Sequence, residues 1–148
     1  MKNRNLKHSD NWETPKYLYD ELDKEFNFDF DPCPICLEEI TPDKDGLLIE
    51  WGCRNFINPP YSRKLKDAFV RRAVNEAAKG KLCVCLLPVS TSTILFHDVI
   101  QPNAKEIRFV RKRLIFKGIN SFGEAVDHTV KGARPMHDSM IIIFDGRL

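Results

Sequence analysis

A chain of 148 residues, 43% hydrophobic and 30% charged, is long enough for one compact domain and too apolar for a disordered polymer. Its 23 basic and 21 acidic side chains leave a net charge of +2, too slight by itself to indicate a polyanionic partner. No apolar run nears the roughly 20 residues that cross a bilayer, and the polar opening MKNRNLKHSDNW lacks a signal core, which predicts a cytoplasmic protein with no membrane partner.

In chain order, residues 1–11 are polar and predict a flexible arm ahead of a single domain over 12–148. Thr14-Pro15 predicts a helix start, with Thr14 as N-cap and Pro15 at the first helical position. Tyr17, Leu18, Leu22 and Phe26 supply its apolar face to about residue 26. FNFDF at 26–30 alternates apolar and polar residues and predicts a short strand ending at Asp31-Pro32. Residues 32–53 have little periodicity and read as an irregular connection. A short strand at 55–57 then runs into Asn58-Pro59-Pro60-Tyr61.

From about 63 to 79 the spacing of Leu65, Phe69, Val70, Ala73 and Ala77 marks an amphipathic helix closed by Gly80. LCVCLLP at 82–88 is continuously apolar and predicts a strand buried on both faces of a parallel sheet. The five cysteines are an odd number in a chain without an export signal, so reduced thiols are expected. Cys83 and Cys85 are read as plain buried thiols pointing to opposite faces of that strand. A short helix capped by Ser or Thr follows at 90–100, one or two strands at 105–116, a loop at 117–138, and a second buried strand at 139–145. Alternating strands and helices predict an α/β domain with a mostly parallel sheet flanked by helices, which binds ligands off the carboxyl ends of its strands.

That rule gives Asn58-Pro59-Pro60-Tyr61 its weight. Two prolines stiffen the backbone and remove two N–H donors, leaving an amide side chain, carbonyl oxygens and an aromatic ring. Such a corner accepts hydrogen bonds from an amino group while stacking a flat ring on Tyr61. An exocyclic amino group on a base is a poor nucleophile because its lone pair is delocalised. The Asn58 side-chain oxygen and the Pro59 carbonyl can hold its two hydrogens and turn the lone pair towards a methyl donor, by positioning and electrostatics without a strong base.

With this tetrapeptide the chain resembles the phage and prophage Dam-type family of DNA N6-adenine methyltransferases. Further segments match in order: Asp10-Asn11-Trp12-Glu13-Thr14-Pro15, Phe30-Asp31-Pro32-Cys33-Pro34, Asp45-Gly46-Leu47 with Trp51, Leu86-Leu87-Pro88, Phe96-His97-Asp98 and Arg111-Lys112-Arg113-Leu114. The resemblance implies a Rossmann-like methyltransferase fold, S-adenosylmethionine as cofactor, DNA with a flipped-out adenine as partner, and a host bacterial or phage-infected cytoplasm. It makes Asn58, Pro59, Pro60 and Tyr61 the catalytic residues and puts Trp12, Thr14, Pro15, Asp31, Cys33 and Asp45 at the cofactor. Asp31 would face the cofactor's ammonium group. Asp31-Pro32-Cys33-Pro34 departs from the usual pattern in having no glycine-rich loop.

N-P-P-Y also serves cytosine-N4 and glutamine-amide methyltransferases, and these substrates stay open. Cys33-x-x-Cys36 with Cys53 resembles part of a zinc site, so a non-catalytic zinc-bearing DNA-binding module is the rival of another class, although no metal is expected. Two basic clusters suit phosphate contacts: Arg63, Lys64, Lys66, Arg71 and Arg72, and a later one in which Arg111, Arg113 and Lys117 are the foremost candidates. The chain has little room for a separate recognition domain. Residues 117–138 and the N-terminal arm are therefore expected to read flanking sequence, in a monomer or a homodimer.

Overall fold

The computed structural model describes residues 11–34, 41–119, 125–127 and 137–147. The expected arm, apart from Asn11, and much of the expected 117–138 loop lie outside these residues. Nine elements carry the architecture: β1 (Asn11–Glu13), α1 (Lys16–Phe26), β2 (Arg54–Ile57), α2 (Arg63–Ala78), β3 (Leu82–Pro88), β4 (Glu106–Phe109), β5 (Lys117–Ile119), β6 (Ala125–Asp127) and β7 (Ser139–Asp145). Among the described residues no helix is long and apolar enough to cross a membrane.

The central sheet has the order β2-β3-β7-β4. β2 pairs parallel to β3, with Phe56 opposite Val84, whereas β7 pairs antiparallel to both β3 and β4. The sheet is therefore mixed, and the expectation of a mostly parallel sheet is corrected. The reason lies in the connection. The chain leaves β4 at Phe109 and returns as β7 at the same end, where Met140 faces Phe109 and Ser139 faces Pro88. An excursion that starts and finishes at one end of a sheet must come back antiparallel. Within it, β5 pairs with β1 and β6 to make a second, three-stranded antiparallel sheet in a stretch expected as strandless loop.

Two apolar layers cover the two faces of the central sheet. On one, Ile57, Cys83, Cys85, Leu87, Ile142 and Phe144 meet Phe69, Val70 and Ala73 of α2 and Leu95, Phe96, Val99 and Ile100. On the other, Phe56, Val84, Leu86, Ile141 and Ile143 meet Leu18, Leu22 and Phe26 of α1. Residues two apart on a strand share a face, so Cys83 and Cys85 lie in one layer and not on opposite faces. Burial pushes the Cys83 thiol up to about 12 and Cys85 upward as well, which keeps both protonated at neutral pH.

Local departures from the sequence reading have simple causes. The N-cap of α1 is Pro15, and Thr14 does not cap it. Tyr17 is exposed, and Tyr19 is the tyrosine of α1 that turns inward, meeting Phe28 and Phe56. α1 ends at Asn27, whose left-handed φ of 54° suits a C-cap. The strand expected at 26–30 is reduced to one parallel bridge between Phe30 and Asn55. The helix expected at 90–100 is a π-helical turn, Leu95–Ile100, with Thr93 Oγ1 accepting from the Phe96 amide at 3.2 Å.

Glu76, 2% exposed on α2, anchors the connection in front of β2. It accepts from Arg72 at 2.9 Å, Lys79 at 3.3 Å and Lys81 at 2.6 Å, while Arg72 donates onward to the Leu47 and Ile49 carbonyls and lies over Trp51. Burial alone would raise this carboxyl, but hydrogen bonds from Lys81, Arg72 and Lys79 outweigh it and hold it at about 2. Glu76→Ala should lower unfolding free energy by about 3 kcal/mol, because it strands partly buried cations. A folded-state value below the unfolded one stabilises above about pH 4.5 and fades as pH falls towards 2. Urea unfolding at pH 7 and pH 3 should therefore give a smaller mutant-to-native difference at the lower pH.

Candidate active site

Asn58 follows β2 and Asp31 follows the Phe30 bridge, so both stand at the carboxyl edge of the parallel part of the sheet. Pro59 and Pro60 are buried and cannot extend the ladder, which turns the chain out of β2 before α2 begins at Arg63. Beside this corner lies a cavity of about 330 Å³ lined by Trp12, Glu13, Thr14, Lys16, Tyr19, Asp31, Cys33, Pro34, Phe56 and Asn58. That volume falls within the range of small-molecule and cofactor sites.

The Asn58 side chain is 7% exposed and held from one side. Its Nδ2 donates to the Trp12 carbonyl and to Thr14 Oγ1, each at 3.0 Å. Its Oδ1 is buried and has no hydrogen-bond partner among the described residues; the same is true of the Tyr61 hydroxyl, although Tyr61 does not line the cavity. A buried polar atom left unpaired costs about 1–3 kcal/mol, so such atoms beside a cavity mark where an outside group belongs. Asn55 Oδ1 is also unpaired, but Asn55 is fully enclosed in β2 and does not line the cavity.

The Tyr61 ring is half-buried, with Phe116 edge-on to it at 6.0 Å. Phe116 in turn lies 6.3 Å from Trp12, so an aromatic row links the corner to β1. Burial pushes the Tyr61 hydroxyl well above the usual tyrosine range, so it acts as a neutral phenol. The Asp31 carboxyl is raised to about 6 by burial, against which a 2.9 Å hydrogen bond from the Cys33 amide works only in part. A carboxylate penalised in this way is suited to a cationic ligand.

Trp12, Thr14, Asp31 and Cys33, expected at a cofactor, come together in the cavity lining with Asn58. Pro15 and Asp45 are not among the lining residues. Pro15 starts α1, and Asp45 Oδ1 accepts from the Leu47 amide at 3.0 Å in a turn. That turn packs behind Asp31: a Cβ on Gly46 would stand 1.8 Å from the Pro32 carbonyl oxygen, and the Gly46 carbonyl accepts from Trp51 at 2.6 Å. The Asp45-Gly46-Leu47 segment thus fits the backbone that carries Asp31.

Lys16, Tyr19 and Phe56 line the cavity without having been singled out from the sequence. Lys16 and Tyr19 are three apart at the start of α1, a spacing that aims both at one side once Thr14 is known to face the site. Arg111 and Arg113 are exposed, the latter paired with Asp138 at 3.2 Å, and Lys117 contributes its backbone to β5. Arg63 and Lys64 are exposed in the first turn of α2, immediately after the corner. Among the described residues no three His, Cys, Asp or Glu side chains gather as a metal site; Cys36 and His8 lie outside them.

A cofactor-sized cavity and a proline-stiffened corner share Asn58 at the carboxyl edge of the parallel part of the sheet. The profile of the DNA N-6-adenine-methyltransferase (Dam) family matches residues 2–145, and the chain belongs to that family. A DNA N-6-adenine-methyltransferase of Haemophilus phage HP1 (strain HP1c1) is 33% identical over 156 aligned positions, covering 98% of this chain and 85% of the phage protein. One of Escherichia phage T1 is 30% identical over 114, covering 71% of this chain and 46% of that protein. No solved structure matches the chain.

Proposed function

We propose that this chain transfers a methyl group from S-adenosylmethionine to the N6 amino group of adenine in DNA, with the donor in the cavity and the base at the proline corner. The observation that carries the reading is the unpaired, buried Oδ1 of Asn58, an acceptor at the boundary between the two. The residues present fit the donor. Asp31 offers a carboxylate to its ammonium group, Trp12, Tyr19 and Phe56 offer apolar walls, and Thr14 and Cys33 offer polar edges. S-adenosylmethionine, when bound, supplies an electrophilic methyl carried on sulfur.

The chain's own residues handle the amine. Asn58 Oδ1 and the Pro59 carbonyl accept its two N–H groups, which localises the lone pair on nitrogen and orients it. Pro60 keeps the two acceptors at a fixed separation, and Tyr61 supplies the aromatic surface for the base. Both acceptors favour the positive charge that grows on nitrogen during attack, so no strong base is needed at that moment. A base within a duplex cannot reach this corner and must be flipped out, at a cost of roughly a few kcal/mol.

Cations near the corner suit the DNA backbone. Arg63 and Lys64 sit where a helix dipole disfavours positive charge, and a phosphate would offset that cost. Arg111, Arg113 and Lys117 are the further backbone contacts, with residues 117–138 and the segment before β1 reading flanking sequence. Pro15 and Asp45 support the cofactor wall from behind. Incubating the protein with methyl-labelled S-adenosylmethionine and mixed-sequence DNA, then digesting the product, should yield labelled N6-methyladenine. Label in N4-methylcytosine or in protein would overturn the reading.

A further inference from the structure

We infer that Thr14 is a positioning residue for Asn58: its hydroxyl, with the Trp12 carbonyl, fixes the amide so that Oδ1 faces the substrate amine. This rests on the function proposed above. A primary amide can be seated in two ways that differ by a half-turn and exchange O for N. The Trp12 carbonyl breaks the tie, since it only accepts and must therefore face Nδ2, at 3.0 Å. Thr14 Oγ1 takes the other Nδ2 hydrogen, also at 3.0 Å. With both donors satisfied on one side, the Oδ1 atom is directed to the other and left unpaired.

Thr14 is free for this task because Pro15, and not Thr14, occupies the N-cap of α1. Thr14 also lines the cavity, so one residue sets the Asn58 acceptor relative to the bound donor. A second consequence concerns chemistry at position 58. In Asn58→Asp an oxygen would replace Nδ2 opposite the Trp12 carbonyl, placing two acceptors 3.0 Å apart. With the Trp12 carbonyl so placed, an amide fits this corner and an ionised carboxylate does not.

The test compares Thr14→Val, which keeps the shape and removes the acceptor, with Thr14→Ser, which keeps the oxygen. Isothermal titration with S-adenosylmethionine and single-turnover methylation of duplex DNA supply the readouts. Thr14→Val should lower the single-turnover methylation rate at saturating cofactor by about tenfold, the worth of one hydrogen bond, separately from any change in cofactor Kd caused by losing its polar edge. Thr14→Ser should restore the rate to within about threefold of the native chain. An unchanged rate at saturating cofactor in Thr14→Val, or a Ser variant as slow as Val, would overturn the assignment. Should Thr14→Val fail to fold, Asn58→Asp decides: the amide requirement predicts a rate at least about tenfold lower with cofactor binding retained, and native-like turnover overturns it. Native-like turnover in Asn58→Ala would instead remove the reading of Asn58 as the amine acceptor, a separate failure.

Discussion

Asn58→Ala should lower the methylation rate by about 10²–10³-fold, the usual cost of removing one preorganised group that meets charge developing in a transition state. Calorimetric titration with S-adenosylmethionine should show cofactor Kd within a few-fold of the native value, because the cavity keeps nine of its ten lining residues. The physical reason for the split is location. Asn58 lines the cavity, but in the proposed reaction its unpaired Oδ1 serves the substrate amine and not the cofactor. The variant also leaves the Trp12 carbonyl without its Asn58 donor, so a modest fall in Tm should accompany the loss of rate. Loss of cofactor affinity in step with rate would place Asn58 at the cofactor and not at the base.

Asp31→Asn should have two large effects of opposite sign. Burial raises the Asp31 carboxyl from its ordinary value of 3.8 to about 6, so the folded chain pays for ionising it. That penalty is absent below the unfolded value and fully present above about pH 6. The neutral amide removes it, so the cofactor-free variant should be more stable than the native chain by about 2–3 kcal/mol at pH 7.5, with the gain vanishing by pH 3.5. Urea unfolding across this range measures it.

Cofactor binding should move the other way. A cation binds the ionised carboxylate, so native affinity should rise as pH increases through about 6, with proton release on binding near that pH. In Asp31→Asn the affinity should drop about tenfold or more and lose this pH dependence. Tyr19, Glu13 and Lys16 share the cavity, and Lys16 is paired with Asp20. A pH dependence that survives in Asp31→Asn would remove Asp31 as the cation contact.

The elements legible from sequence were those written in short windows. LCVCLLP and SMIIIFD were read as buried strands at 82–88 and 139–145, and the structure has β3 and β7 there. The apolar spacing from Leu65 to Ala77 similarly located α2. Thr14 shows the opposite case. A Thr-Pro pair is a helix-start signal, yet the hydroxyl is drawn to an amide 44 positions away, a partner that no local pattern contains. Tyr17 and Tyr19 were exchanged for a related reason: either fits a helical face until the location of the sheet and cavity is known.

Sequence alone therefore determined the α/β class, the two long buried strands and the proline-stiffened turn at Asn58-Pro59-Pro60-Tyr61, because periodicity and proline geometry act within a few residues. Tertiary structure decided the direction of β7, the pairing of β1 with β5, and which way the Asn58 amide points. These depend on where the chain re-enters the sheet and on contacts between segments more than 40 residues apart, whose free energy exists only once the two apolar layers have closed around the sheet.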